Sequence, residues 1–405
     1  MFHCYIHPRD AIMHRYVTSD CLPQVLAVVL AGGRGSRLHD LTSREAKPAL
    51  PVAGTYRLID VPLSNLAHSH VSDVWVIQQY LPHTLNEHLA NGRPWDLDRS
   101  HGGLLVLPPY QGGADEGFAD GNTDAIYRQR EIIREFAPDL VLVVSADHLY
   151  TLNMLDVLDT HRAASADLTM VTTQVNEDPS RYGVVQVDDD GRVTRFDYKP
   201  DDPQGRLVAA EIFLYEADSL LEALTTLAEE RDELQDYGND LLPWFVAHRT
   251  VVEHRLEGYW MDLGTPQAYW TAHMQLLDGD GATLDAADWP ILSGQPPLPP
   301  AVVTASAEIA DAMISSGARI AGTVEHSVIG LRVVVEHGAA VVNSVVLDGA
   351  VIQAGARVEN TIVDAGAVVD AGHYGTATSV TIIDGSGDVA ETADLDRSQA
   401  LPRGF

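Results

Sequence analysis

The chain has 405 residues, more than one ordinary hydrophobic core accommodates, so two domains are expected. Its formal net charge of −32 argues against general nucleic-acid binding, because two polyanions repel each other. No apolar run approaches the roughly 18 residues that a membrane span requires, and residues 1–24 form a polar N-terminal tail without a signal-peptide core. Both cysteines lie in that tail, which favours a reducing, cytoplasmic location.

The first predicted strand is the unbroken apolar run at residues 25–30, which is typical of a buried parallel strand. Further apolar runs occupy residues 74–77 and 140–144, and helical patterns such as residues 123–136 lie between them. Strands that alternate with helices predict an α/β, Rossmann-like domain with a parallel sheet over residues 25–278. Ligands of such sheets bind at the carboxyl ends of the strands.

A glycine-rich loop follows the first strand and predicts a phosphate site. Glycines allow backbone N–H groups to approach a phosphate, and two arginines of the loop add guanidinium donors. A plain glycine turn is the alternative, which the nearby cations disfavour. The loop and its flanks comprise Ala31, Gly32, Gly33, Arg34, Gly35, Ser36 and Arg37.

Lysine is scarce in this chain, which contains only Lys47 and Lys199 among 26 basic residues, and a proline follows each of them. A lysine ammonium is a compact point charge, whereas a guanidinium is a broad fork. We therefore predict that both lysines meet phosphate oxygens, against the alternative of two chance surface residues.

Asp147 and Asp262 are the candidate metal ligands. Asp147 follows a buried apolar run, and Asp262 lies in an aromatic segment that closes with a turn. Mg²⁺ that bridges phosphates needs only one or two protein carboxylates. Each aspartate taken alone fits a helix cap or a turn equally well. His148 is interpreted as a structural partner rather than a base, because phosphoryl-type transfer depends on positioning and charge.

The chain changes character after the first domain. Residues 279–300 are rich in proline and predict a linker, and residues 301–384 repeat every 17 residues, with Gly338, Gly355 and Gly372 in register. A shorter six-residue spacing of aliphatic residues inside each repeat predicts a left-handed parallel β-helix of hexapeptide repeats. A β-sandwich of short strands is the alternative. The acidic residues 385–405 predict a frayed C-terminal tail.

As a set, eight segments resemble glucose-1-phosphate adenylyltransferases (ADP-glucose pyrophosphorylases) within the sugar nucleotidyltransferase superfamily. The match covers roughly residues 25–277. It implies a GT-A-like catalytic domain, Mg²⁺ as cofactor, and adenylyl transfer from ATP to α-D-glucose 1-phosphate. ADP-glucose for glycogen or other α-glucan synthesis would be the product, and a homo-tetramer the assembly. The segments are AGGRGSRL, EAKPALP, YRLIDVPLSN, VIQQYLPHTL, GNTDAIY, ADHLY, YGNDLLP and YWMDLGTPQAYW.

The resemblance also implies roles for particular residues. Catalysis would involve Arg37, Lys47 and Asp147, and the metal would bind Asp147 and Asp262. The nucleotide would contact the glycine-rich loop together with Gln79, Gly121 and Asp124. The sugar phosphate would meet Lys199, Tyr198, Glu211 and Asp240.

The departures from the family pattern cluster on the sugar side. Tyr198 replaces a glutamate, and Glu211 replaces a glycine, so Glu211 either supplies a substitute acceptor for sugar hydroxyls or blocks the pocket. Glu45 replaces part of a basic pair at the family's effector site, which argues against regulation by a sugar bisphosphate. Two alternatives stay open: transfer to another sugar 1-phosphate or from another nucleotide, and a non-catalytic regulatory paralogue.

Overall fold

A computed structural model describes residues 23–32, 36–42, 45–79, 81–108, 119, 121–231 and 233–402. Nearly all of the expected N-terminal tail, both cysteines, and the loop residues Gly33, Arg34 and Gly35 lie outside the described residues. Within the described ranges, no helix combines the length and the apolar character that a membrane crossing requires.

The amino-terminal domain alternates strands and helices, as predicted. Its strands are β1 (Val25–Ala31), β2 (Pro51–Val52), β3 (Tyr56–Arg57), β4 (Asp73–Gln78), β5 (Gly103–Leu107), β6 (Leu140–Ser145), β7 (His148–Tyr150), β8 (Leu168–Gln174), β9 (Gly183–Val187), β10 (Val193–Tyr198), β11 (Leu207–Glu216), β12 (Val251–Arg255) and β13 (Trp260–Asp262). Its α-helices are α1 (Asp60–His68), α2 (Pro82–Leu89), α3 (Asn122–Tyr127), α4 (Arg130–Phe136), α5 (Met154–Ala164), α6 (Ala217–Glu230), α7 (Leu241–His248) and α8 (Pro266–Asp278). Short 3₁₀ helices span Ser36–Thr42, Lys47–Ala49, Ala90–Trp95 and Pro179–Arg181.

The central sheet has β1 in its middle, and both faces of that strand are buried. Leu26 and Val28 face one hydrophobic cluster, whereas Ala27 and Val29 face another on the opposite side. Burial on both faces requires a continuous apolar run rather than an alternating one, which is why the first strand could be recognised from sequence.

The prediction of a parallel sheet is correct for only part of this sheet. Strands β5, β4, β1 and β6 are parallel, but β11 is antiparallel to β6, β8 and β9. The β9–β10 pair is antiparallel as well, and there connection length is the reason. Only residues 188–192 join the two strands, and so short a turn allows an antiparallel pair but no parallel crossover.

The carboxyl-terminal domain is a prism of stacked parallel strands. Its strands are β14 (Val302–Val303), β15 (Glu308–Ile314), β16 (Arg319–Ile320), β17 (Thr323–Ile329), β18 (Val334–Val335), β19 (Ala340–Val342), β20 (Val345–Val346), β21 (Val351–Ile352), β22 (Ala356–Glu359), β23 (Thr361–Val363), β24 (Val368–Val369), β25 (Gly372–Tyr374), β26 (Ser379–Ile383) and β27 (Val389–Asp394).

The 17-residue repeat corresponds to one coil of this prism. Val324 pairs with Val341 and Val341 pairs with Val358, which are steps of 17 residues each. The pairs are parallel, so the domain is a β-helix and the β-sandwich alternative does not apply. Because each coil can bury its inward valines only against its neighbours, the coils stack.

A column of hydroxyl residues runs through the coils at the same spacing. Ser327, Ser344 and Thr361 are buried, and each sits 17 residues after the last. Ser327 Oγ accepts a hydrogen bond from the N–H of Ser344 at 3.0 Å, and Ser344 Oγ accepts one from Thr361 at 3.1 Å. These bonds satisfy buried polar groups at the coil corners and fix the register.

The two domains share one hydrophobic core through α8. Trp270 is fully buried, and its Nε1 donates to the backbone oxygen of Asn343 at 2.7 Å. Tyr269 and Trp270 belong to the same cluster as Val328 and Val345 of the β-helix. Residues 279–300 also pack onto the first domain, since Trp289 Nε1 donates to Asn65 Oδ1 at 2.8 Å.

The prediction of a frayed C-terminal tail is wrong for the described residues. Strand β27 is antiparallel to β26 and closes the last coil. Beyond it the chain returns to the first domain, where Gln267 Nε2 donates to Asp396 O at 2.8 Å and Asp178 N donates to Ser398 O at 3.1 Å. The acidic composition suggested disorder, but backbone pairing orders this segment.

The shared core yields a stability prediction. Trp270→Ala removes a fully buried indole and its hydrogen bond, and should lower the free energy of unfolding by about 3–5 kcal/mol. Chemical denaturation followed by circular dichroism measures the loss. Trp244→Ala, which truncates a half-buried indole on α7, is the matched control and should cost clearly less. A loss below about 1 kcal/mol for Trp270→Ala would contradict the shared core.

Candidate active site

Three distant segments meet at the carboxyl end of the central strands. Asp147 follows β6, and the antiparallel pairing of β7 with β13 places His148 opposite Asp262. Lys47 opens a short 3₁₀ helix whose residues are all buried, so its backbone is held in place. The topology therefore brings together one ammonium and two carboxylates that sequence motifs alone had identified separately.

Lys47 bridges the two candidate metal ligands. Its Nζ lies 2.7 Å from Asp147 Oδ2 and 3.2 Å from Asp262 Oδ1, and the residue is only 4% exposed. Burial alone disfavours charge on all three groups, but the attraction between opposite charges outweighs it. The pKa of Asp147 is held well below its usual range, that of Asp262 is lowered, and that of Lys47 is raised.

His148 packs against the same carboxylates. It is 2% exposed, and its Nε2 lies 3.4 Å from Asp147 Oδ1 and 3.7 Å from Asp262 Oδ1. Its ring contacts that of Trp260 at a centroid distance of 5.0 Å. Among the described residues, its Nδ1 has no hydrogen-bond partner. The imidazole thus lies inside the charge cluster.

Three of the residues predicted to bind the nucleotide can be placed in the structure, namely Gly32, Gln79 and Arg37. A Cβ at Gly32 would lie 2.6 Å from the side chain of Gln79, so the two residues are in close contact. Arg37 is exposed, and its Nη2 would lie 3.3 Å from a Cβ at Gly264, two residues beyond Asp262. Ala31 ends β1 just before Gly32. The contacts of these residues with a nucleotide stay a prediction.

Gly121 and Asp124 have structural partners. A Cβ at Gly121 would lie 2.3 Å from the backbone carbon of Gln235, which explains the glycine by close approach of two segments. Asp124 forms an ion pair with Arg128 one helical turn later, at 2.8 Å. Their proposed contacts with the nucleotide remain a prediction.

The sugar-side residues gather around one tyrosine. The ring of Tyr198 packs against Gly238, where a Cβ would lie 2.1 Å from the ring. Lys199 is exposed, and its Nζ donates to Tyr198 Oη at 2.7 Å. Tyr198 Oη in turn donates to Asp236 Oδ2 at 3.3 Å. Lys199 and Tyr198 thus form one hydrogen-bonded unit.

Glu211 lies between this unit and the Lys47 pair. Its φ of +59° falls in the left-handed region, which glycine adopts more easily than glutamate. Burial raises the pKa of Glu211, and the charges of Asp147 and Asp262 raise it further, whereas the charge of His148 and a hydrogen bond from Tyr237 act in the opposite direction. The acid that replaces the family's glycine therefore reaches the charge cluster.

Asp240 is buried within its own segment. It is 1% exposed, one oxygen pairs with Arg231, and the other accepts a hydrogen bond from Gln235 N at 2.6 Å. These contacts stabilise residues 231–240. The predicted contact of Asp240 with the sugar stays a prediction.

Sequence reasoning missed Arg181 and Tyr237. Arg181 stacks on Tyr182 at 4.8 Å and lowers the pKa of Asp262 through its charge. Tyr237 is buried and hydrogen-bonded to Glu211. Tyr237 begins YGNDLLP, one of the eight segments that resemble the family, so the sequence did point to its surroundings. Arg181 lies in none of those segments.

Comparison with known proteins agrees with this geometry. The Nucleotidyl transferase family model matches residues 26–279, and the GlmU-like C-terminal hexapeptide model matches residues 299–376. A glucose-1-phosphate adenylyltransferase of Clostridium acetobutylicum is 37% identical over 310 residues, which cover 76% of this chain and 81% of the relative. One of Thermotoga maritima is 37% identical over 320 residues, covering 78% and 76%.

A third relative, the glucose-1-phosphate adenylyltransferase of Bacillus thuringiensis, is 36% identical over 327 residues, which cover 80% of this chain and 87% of the relative. Each of these three alignments covers at least 76% of this chain. The chain therefore belongs to the glucose-1-phosphate adenylyltransferase family.

Proposed function

We propose that this protein transfers the adenylyl group of ATP to α-D-glucose 1-phosphate and releases pyrophosphate. The observation that carries the proposal is the bridge from Lys47 to Asp147 and Asp262 at the strand ends, with Arg37 near Gly264, two residues beyond Asp262. The printed names of the similar proteins support the same activity. From the resemblance we also propose a cytoplasmic homo-tetramer.

Asp147 and Asp262 would hold the divalent metal, which we propose is Mg²⁺. Their carboxylates fit a cation between them, because one ammonium already contacts both at 2.7 and 3.2 Å. Two protein carboxylates also match the few protein ligands that Mg²⁺ takes when phosphates complete its shell. When bound, the ion would neutralise negative charge on the phosphates.

The residues of the chain would act by position and charge. An oxygen of the sugar phosphate attacks the α-phosphorus of ATP, a new P–O bond forms, and the bond to the β-phosphate breaks. Pyrophosphate leaves with the electron pair, so no proton has to be removed by a base. Arg37 and Lys47 would stabilise the departing charge, and Lys199 would hold the sugar phosphate.

The sugar side of the site is where the chain departs from the family resemblance. Tyr198 and Glu211 differ from the family pattern and lie on the sugar side. They leave room for another sugar 1-phosphate as the acceptor. A regulatory paralogue without turnover is not favoured, because the chain retains the charged residues that transfer would need, namely Arg37, Lys47, Asp147, Lys199 and Asp262.

A substrate panel tests the proposal directly. Pyrophosphate release is measured for several sugar 1-phosphates, each with the four NTPs and Mg²⁺. We expect the highest kcat/KM for ATP with glucose 1-phosphate. A clear preference for another pair would correct the substrates, and no release with any pair would support the regulatory alternative.

The metal assignment predicts a loss of activity in two isosteric variants. Asp147→Asn and Asp262→Asn each keep an oxygen for Lys47 but remove one negative charge from the metal position. Activity should fall more than about 100-fold while the fold persists. Pyrophosphate release over a range of Mg²⁺ concentrations measures the effect, with thermal unfolding as the check on folding.

Asp388→Asn is the matched control, because this exposed aspartate lies in the β-helix between β26 and β27. It should behave as wild type. If Asp147→Asn or Asp262→Asn retained activity within a few-fold of wild type, that residue would not be a metal ligand.

A further inference from the structure

A second group of ligand atoms adjoins the Lys47 bridge. Asp147, His148 and Glu211 each offer one ligand atom, and these atoms lie within 4.8 Å of one another. Asp147 belongs to both groups, whereas Asp262 and Lys47 belong only to the first. The site therefore contains two neighbouring positions at which side chains converge.

The carboxylates of the two groups have different partners. Lys47 contacts Asp147 and Asp262, so its positive charge serves those two carboxylates. Glu211 accepts a hydrogen bond from Tyr237, which is a neutral donor. Within the described residues, no lysine or arginine forms an ion pair with Glu211. A cation bound beside Glu211 would add positive charge at a position that no lysine or arginine among the described residues serves.

The imidazole of His148 supplies an independent indication. It is buried, its Nε2 points toward Asp147 and Asp262 at 3.4 and 3.7 Å, and its Nδ1 has no partner among the described residues. A buried, unpartnered ring nitrogen is costly unless something occupies it. Neutral imidazole is a common ligand for transition metals in proteins.

An ion could reach this position from solvent. The Asp147 side chain is 26% exposed, and Glu211 is half-buried. Asp147 and Glu211 would then present carboxylate oxygens from the open side, and His148 would close the inner side. This arrangement leaves further coordination positions for water or substrate.

We propose that Asp147, His148 and Glu211 bind a first-row divalent transition-metal ion, such as Mn²⁺, in the nucleotide-free protein. Two carboxylates with one imidazole suit such an ion better than Mg²⁺, which prefers oxygen ligands only. The third ligand of the cluster is Glu211, whose carboxylate lies in this chain beside Asp147 and His148. This metal site rests on the proposed active site, but binding of the ion can be measured without any catalytic turnover.

Mn²⁺ alone is the probe, added to the full-length protein without nucleotide or sugar phosphate. Electron paramagnetic resonance of free Mn²⁺ gives the number of bound ions and their affinity. Glu211→Gly should weaken binding by at least about 10-fold, because it removes one of three ligands. Glycine also relieves the left-handed backbone at φ +59°, so this variant should fold at least as well as wild type.

Asp311→Gly is the matched control. Asp311 is also an acid in the left-handed region, with φ of +46°, but it is exposed on β15 of the β-helix. This variant removes the same charge and adds the same glycine, so its Mn²⁺ affinity should equal that of wild type. Equal weakening in both variants would mean that net charge, not a site, attracts the ion.

Pulsed electron paramagnetic resonance supplies a second readout. Bound Mn²⁺ should show a ¹⁴N coupling from the imidazole, and His148→Gln should abolish it. The proposal is overturned if wild type binds no Mn²⁺, if Glu211→Gly binds it as tightly as wild type, or if no nitrogen coupling appears. None of these results depends on the substrate panel, so binding and nucleotidyl transfer can fail separately.

Discussion

The structure depends most on the buried ammonium of Lys47 and its two carboxylates. Asp147 lies 100 residues from Lys47 and Asp262 lies 215 residues away, yet both are within 3.2 Å of the same nitrogen. Without Lys47, the buried carboxylate of Asp262 and the partly exposed one of Asp147 would face each other, and removing one partner of a buried ion pair typically costs about 3–5 kcal/mol. The interaction therefore requires the end of β6, the β7–β13 pair and the 3₁₀ helix at Lys47 to assemble together.

The same charges define what the site can do. One cation already bridges two carboxylates at strand ends, with Arg37 nearby, which is an arrangement suited to a metal and a triphosphate. The departures lie where the sugar would bind, since Lys199 contacts Tyr198 and Glu211 reaches toward Asp147. Most of the charges that transfer requires therefore lie on the nucleotide side, and the departures from the family resemblance lie on the sugar side.

The parts of the fold that follow from local or periodic patterns could be predicted. An apolar run identified β1, and a 17-residue period identified the coils, because stacking requires inward residues such as Val341 to recur at a fixed spacing. The antiparallel pairing of β11 with β6 and the return of residues 396–400 to the first domain depend on long-range contacts, whereas the pairing of Asp240 with Arg231, nine residues away, depends on how the segment between them folds. No local pattern encodes them, and composition pointed the wrong way for the C-terminal segment.

The central claim is that Lys47 and Asp262 stabilise the protein as a coupled pair rather than as independent residues. A double-mutant cycle measures this most directly, using Lys47→Met, Asp262→Asn and the double variant in urea denaturation followed by tryptophan fluorescence. The account predicts that Lys47→Met is strongly destabilising and that the double variant loses less than the two single losses combined, with a coupling of at least about 1 kcal/mol. Losses that simply add, within about 0.3 kcal/mol, would contradict it.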